Sequence, residues 1–184
     1  MKYSELKQII KEELDGYFKI HPYSELDEWL ITEEVMIGEL LNPDYAYPYQ
    51  GEKGYYEYKD MNDVTFFVRM SYQSIKWDEN NEGYMEFKTG WINNGKTTYE
   101  PSVPPNSNKS SAIDKDRRSD TVAKIYRDEI LPLFEKQNLT NIMLIKPIST
   151  SRMKFAERLV KKFTPTDKFD IEYGSPLIIT KKNG

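Results

Sequence analysis

Three cations, Lys154, Arg158 and Lys161, stand at positions i, i+4 and i+7, so a helix would carry them on one face. Such a stripe suits a phosphate or an acidic protein surface, and Arg152 lies at the head of the same segment. Arg117, Arg118 and Ser119 form a second group, two guanidiniums and a capping hydroxyl suited to an anion, although Asp120 at the helix start opposes a phosphate. If the fold brought the two groups together they would make one patch; a plain solvated face is the commoner fate of such charges. Six tyrosines, Tyr45, Tyr47, Tyr49, Tyr55, Tyr56 and Tyr58, crowd between residues 45 and 58. Tyrosines in such number stack on bases, line a protein interface or serve as ordinary strand material. Interface and core both rank ahead of nucleic acid here, and Tyr45, Tyr47 and Tyr49 are the candidate interface aromatics.

Acid–base chemistry has weaker candidates. Carboxylates pair at Glu12/Glu13, Asp27/Glu28, Glu33/Glu34 and Asp128/Glu129. Catalytic carboxylates need unlike environments that push their pKa values apart, whereas adjacent acids on a helix point in different directions into solvent. The single histidine, His21, precedes Pro22 in an apparent linker with no acid placed to orient it, and reads as a surface residue. Neither a G-x-S-x-G nucleophile turn nor a G-x-x-x-x-G-K phosphate loop occurs. With no cysteine and one histidine, a disulfide framework, a thiolate metal site and a multi-histidine centre are excluded. No catalytic residue, metal or cofactor is assigned.

The net charge of −4 hides an asymmetry. Residues 1–100 hold 10 Lys/Arg against 20 Asp/Glu, and residues 101–184 hold 16 against 10. That split marks either a basic binding face or two halves that neutralise each other within one fold, and the second is favoured. No apolar run approaches the roughly 20 residues a bilayer requires, and the opening MKYSELKQIIKEEL lacks an apolar signal core.

These residues must be positioned by elements whose periods are legible. Leu6, Ile9, Ile10, Leu14 and Tyr17 fall on one stripe of a helix over 3–17, capped by Ser4 and stopped near Gly16. A second helix is predicted over 24–41, with Leu26, Trp29, Leu30, Ile37, Leu40 and Leu41 as its apolar set, ended by Asn42-Pro43. The chain then reads as a loop at the first tyrosines and as a hairpin over 54–60 and 64–75, turning at Asn62-Asp63. A third strand follows over 84–92. Residues 93–118, with Pro101, Pro104 and Pro105 and almost nothing apolar, read as a long flexible loop. Beyond it the order is helix (119–137), strand (141–146), helix (150–163) and strand material (169–180). Pro132 should interrupt the first of these helices, and Ile142–Ile145 has the unbroken apolar run of a central strand. The expectation is an α+β fold with a mixed, largely antiparallel sheet, packed helices and N-terminal helices. Its divisions are a helical segment at 1–42 and a single α+β domain at 43–184 with a flexible loop at 93–118.

Antiparallel strands followed by helix, strand, helix, strand resembles the GNAT acetyltransferases in order of elements. In that family a glycine-rich loop before the first of these helices cradles the pyrophosphate of acetyl-CoA, and a tyrosine in the last helix protonates the departing thiolate. Asp116-Arg117-Arg118-Ser119-Asp120-Thr121 stands at the first place without a glycine, and Phe155 and Ala156 stand at the second. Both departures argue against acyl transfer, so what the resemblance implies is a GNAT-like scaffold, and a scaffold does not confer function.

Roughly the C-terminal 120 residues also resemble a set of uncharacterised proteins of large tailed bacteriophages. The matching features are Asp128-Glu129-Ile130-Leu131-Pro132 at the end of a helix and Ser151-Arg152-Met153-Lys154 at the start of the next. The opening Met-Lys-x-x-Glu-Leu-Lys-x-Ile-Ile-Lys-Glu-Glu is similar to phage leaders, and Ile10-Lys11-Glu12 and Leu26-Asp27-Glu28 both match the triplet trimmed by prohead proteases. The resemblance implies a phage-encoded protein of the host cytoplasm or virion that is neither secreted nor membrane-bound. Its expected partner is another protein, of phage or host, with nucleic acid possible but not favoured. The alternatives are a divergent or degenerate acyl-CoA-dependent N-acyltransferase and, third, a nucleic-acid-binding accessory protein.

Overall fold

The computed structural model describes residues 46–74, 83–93, 95–99, 112–146 and 150–182. The two helices expected over 3–17 and 24–41 with the three acid pairs on them, His21 between them, and Tyr45 lie outside the described residues. Eight strands form one sheet: β1 (Tyr49–Glu52), β2 (Tyr55–Lys59), β3 (Thr65–Ser74), β4 (Gly83–Asn93), β5 (Lys96–Tyr99), β6 (Ile142–Ile145), β7 (Phe169–Glu172) and β8 (Leu177–Lys181). Seven of them run in the order β1-β2-β3-β4-β6-β8-β7, and β5 pairs with β4 beside this path. Every pairing is antiparallel except β4 with β6. The fold is therefore α+β with a mixed, mostly antiparallel sheet. None of the helices among the described residues is long and apolar enough to cross a membrane.

The alternation of β3 decides which face is the core. Phe66, Val68 and Met70 join Met85 and Phe87 of β4, Met143 and Ile145 of β6, and Leu177 and Ile179 of β8 in one buried cluster. Three helical segments cover that face. They are α1 (Ala112–Ile125), α2 (Leu131–Lys136) and α3 (Thr150–Phe163), with a wide π-helical turn at Tyr126–Ile130 between the first two. Ile125, Tyr126, Ile130, Phe134, Leu159 and Val160 supply their buried side. Tyr126 sits edge-on to Phe87, ring centroids 5.6 Å apart, and its hydroxyl shares a hydrogen bond with Thr164 at 2.7 Å.

Pro132 accounts for the π turn. A proline removes its own N–H and pushes against the carbonyl four residues back, here that of Asp128. The turn widens at that point: the N–H of Leu131 reaches the carbonyl of Tyr126, five residues back. Pro132 then occupies the first turn of α2, where no N–H is needed.

Three expected boundaries move. α1 begins at Ala112 and not near Ser119, because residues 112–118 contain neither glycine nor proline and nothing local stops the helix. Ser119 thus lies inside the helix and does not cap it. β5 lies within the stretch expected to be a loop, paired with residues 90–93 of β4. The expected loop at the first tyrosines contains β1, a short edge strand whose Pro48 and Gly51 conceal its period. By contrast α3 spans 150–163 as its period predicts, β6 is a fully buried central strand, and the terminal strand material is a hairpin of β7 and β8.

Candidate binding cleft

The β1–β2 hairpin turns at Lys53-Gly54, with Gly54 at φ 89°, a backbone that glycine adopts without strain. Gly51 faces Tyr56 across the pair. A Cβ at Gly51 would run into the carbonyl of Tyr55 and lie 2.7 Å from Cα of Tyr56. The absent side chain lets the two strands close and leaves space beside the Tyr56 ring.

That space opens onto the π turn. The hydroxyl of Tyr49 donates to Oε1 of Glu129 at 3.4 Å, and that of Tyr56 donates to Oε2 at 3.2 Å. The N–H of Gly54 donates to the Tyr56 hydroxyl at 3.3 Å. The two rings meet edge to face, 5.9 Å apart at 89°. Lys124 Nζ stands over the Tyr49 ring at 5.9 Å, a favourable place for a cation. Tyr49, Gln50, Gly51, Lys53, Tyr56 and Glu129 line an open cleft of about 370 Å³, near the small end of the range for ligand sites.

Electrostatics fixes what the cleft can do. Burial, then the charges of Glu129 and Asp128, push the Tyr49 hydroxyl up to about 12 from 10.0. Tyr56 is raised chiefly by burial. Both hydroxyls keep their protons at neutral pH and act as donors, so neither is a base or a nucleophile. Beside them Arg127 grips Asp128 through two hydrogen bonds of 2.5 and 2.7 Å, which hold the Asp128 carboxyl below its ordinary range. Each Glu129 oxygen accepts one tyrosine bond and retains lone pairs. With the ammonium of Lys53 and the amide of Gln50, the cleft presents donors, an acceptor and two ring edges to a polar visitor.

Of the residues singled out from sequence, Tyr49 is in this cleft. Tyr47 is buried: its N–H donates to Thr121 Oγ1 at 2.7 Å and its ring stacks on Tyr58. Arg118 is also buried, Nε 3.6 Å from Asp60 Oδ2 and its guanidinium 5.1 Å above the Phe66 ring. Arg117 is half-buried and reaches the sulfur of Met61 at 3.7 Å. Ser119 and Arg152 are buried, Lys154 and Lys161 are exposed, and Arg158 is half-buried with Nε on the carbonyl of Lys154 at 3.1 Å. The solvent-facing part of the basic groups is thus mainly Lys154, Arg158 and Lys161.

Tyr56 and Glu129 carry the cleft; from sequence Tyr56 stands only in the tyrosine cluster, outside the three candidate interface aromatics, and Glu129 only in an acid pair that reads as solvated. Pro132 is the local signal: a proline inside a helical period kinks or breaks the turn before it, and Glu129 is there. The chain matches no protein-family model, no curated protein and no solved structure.

Proposed function

We propose that this chain is a phage-encoded, non-catalytic protein on a GNAT-like scaffold that works by binding another protein, in the virion or in the infected host cell. The observation that carries the reading is the open cleft over Glu129, where tyrosine hydroxyls with raised pKa and a carboxylate with unused acceptor capacity meet at the surface. Tyrosine in a partly polar, partly solvated setting is a favoured contact residue of protein interfaces. The GNAT-like scaffold is supported by the lone parallel pair β4–β6, with α1 and α2 between its strands in sequence, and by the insertion of β8, the second strand of the hairpin that follows α3, between β6 and β7.

An acyltransferase on the same scaffold is the rival, favoured by that parallel pair. Against it stand three observations. The last helix offers Phe155, packed against the core, and the buried Ala156, which carry no transferable proton. The chain has no glycine between Gly95 and Gly174, so the stretch before α1 lacks a glycine-rich anion cradle. The edge of β4 is paired with β6 at 85–87 and with β5 at 90–93, which leaves little of it for an extended ligand. A nucleic-acid role rests on exposed Lys154 and Lys161 and requires binding that weakens steeply with salt and on loss of Lys154, Arg158 and Lys161.

The test places a photo-crosslinking amino acid at Gln50 in infected-cell extract. One discrete protein adduct, lost with Glu129→Gln and absent with the crosslinker at Lys182, supports the reading. Micromolar acetyl-CoA binding by calorimetry, with no Gln50 adduct, hands the scaffold to the acyltransferase reading.

A further inference from the structure

The centre of the sheet's second face is buried although α1, α2 and α3 lie on the first, while its margins at Lys59 and Asp170 are exposed. Register pairs Glu86 with Leu144 and Leu144 with Ile178 in one row across β4, β6 and β8. Phe67 and Ile142 extend that surface on β3 and β6. Phe67, Leu144, Ile178 and Ile142 are 0–3% exposed, yet none belongs to the core cluster formed with the helices. Something outside the described elements therefore excludes water from this face. We propose that residues 1–45 of this same chain cover it, with the stripes of 3–17 and 24–41 laid across strands β3, β4, β6 and β8.

Length, reach and charge all favour this occupant. Covering four strands means crossing about 14 Å at the usual strand spacing. A fifteen-residue helix over 3–17 is about 22 Å long, whereas 75–82 contributes just Ile75 and Trp77 as apolar side chains and 100–111 hardly any. Residues 42–46 reach about 16 Å when extended. That is enough to pass around edge strand β1 from Tyr47, which is fixed on the helix side by Thr121.

The centre of the face is cationic. Arg69 and Lys88 are directly opposed on β3 and β4. Lys88 and Lys146 flank buried Glu86 at 2.8 and 3.2 Å, which gathers the charges of this face around one row of the sheet. Like charges directly opposed destabilise a sheet unless acids lie over them. Residues 1–45 bring 11 acids against 4 lysines. Their apolar stripes fit Phe67, Leu144 and Ile178, and their acidic flanks fit Arg69, Lys88 and Lys146.

The full chain tests this without truncation before folding. A protease site inserted between Asn42 and Pro43 is cut in the folded protein, and the products are passed over a sizing column. The expected result is one-to-one co-elution of the two pieces at monomer mass, with retention weakened about tenfold or more by Leu30→Asp. A photo-crosslinker at Trp29 of the uncut chain should capture peptides from β3, β4 or β6. Three results overturn the proposal: release of the N-terminal piece from a remainder that stays folded and monomeric, dimerisation of the remainder as a second copy takes the face, or Trp29 crosslinks confined to α1 and α3.

Discussion

Two tyrosine pairs lie one strand register apart on the same face of the sheet and meet opposite fates. Tyr47 and Tyr58 stack 6.3 Å apart and are buried. Next to them Asp60 is fully employed: Oδ1 accepts the N–H groups of Asn62 and Val64 at 2.9 and 3.0 Å, and Oδ2 faces Arg118. Tyr49 and Tyr56 meet a carboxylate too, and Tyr56 is as buried as Tyr58, but half-buried Tyr49 and Glu129 border an open cleft where Glu129 keeps spare acceptor capacity. The same residue types thus make a closed structural joint at one place and an unsaturated surface at the other. What separates them is the positive partner: Arg118 lies buried over Phe66, whereas Lys53 lines an open cleft and Lys124 stands over the Tyr49 ring.

The comparison predicts a descending series of effects. Asp60→Ala should be the most damaging, because it frees two turn N–H groups and leaves the Arg118 charge buried. Removing one member of such a pair costs about 3–5 kcal/mol, and thermal unfolding should fall by roughly 10 °C in a domain of this size. A shift below about 2 °C would show that the joint is not structural. Gly51→Ala should cost about 1–3 kcal/mol by overpacking and should open the β1–β2 hairpin, seen as faster amide exchange over 49–59. Unchanged exchange would mean that the cleft does not depend on the close approach.

Glu129→Gln should change stability by no more than about 1 kcal/mol while abolishing the Gln50 adduct. It should also lower the Tyr49 pKa from about 12 part of the way toward 10.0, because burial remains as the larger cause. The sign is fixed by linkage. A hydroxyl harder to ionise when folded stabilises the fold fully below pH 10 and loses that contribution as pH climbs from 10 toward 12. Tyr58 and Tyr126 are raised by burial and act in the same direction. Denaturant melts from pH 9 to 12 should therefore show stability falling across that window, and less steeply in Glu129→Gln. The smallest effect belongs to Lys59→Ala, next to the joint. Its 3.4 Å pair with Asp63 is solvent-exposed on both sides and is worth at most about 0.5 kcal/mol. A larger loss would mean that charge, and not the Asp60 geometry, holds the turn.

The sequence by itself determined what short-range period controls. The stripe of α3, the alternation of β3, the apolar run of β6 and the turn ending at Asp63 (φ 62°) are each set by residues within one or two turns of one another. Local sequence also placed a break near Pro132, although not the widened turn that answers it. The tertiary structure alone decided the rest. β1, with Gln50, Gly51 and Glu52, has weak intrinsic strand preference, and β5, despite Thr97, Thr98 and Tyr99, is only four residues long; they exist because β2 and β4 offer them edges. The insertion of β8 between β6 and β7 follows from burying Leu177 and Ile179 against the helices, not from any local signal. Glu129 stands 73 and 80 residues from the tyrosines it binds. No window of sequence contains that carboxylate and both hydroxyls, so the cleft came into being only when the hairpin closed over the π turn.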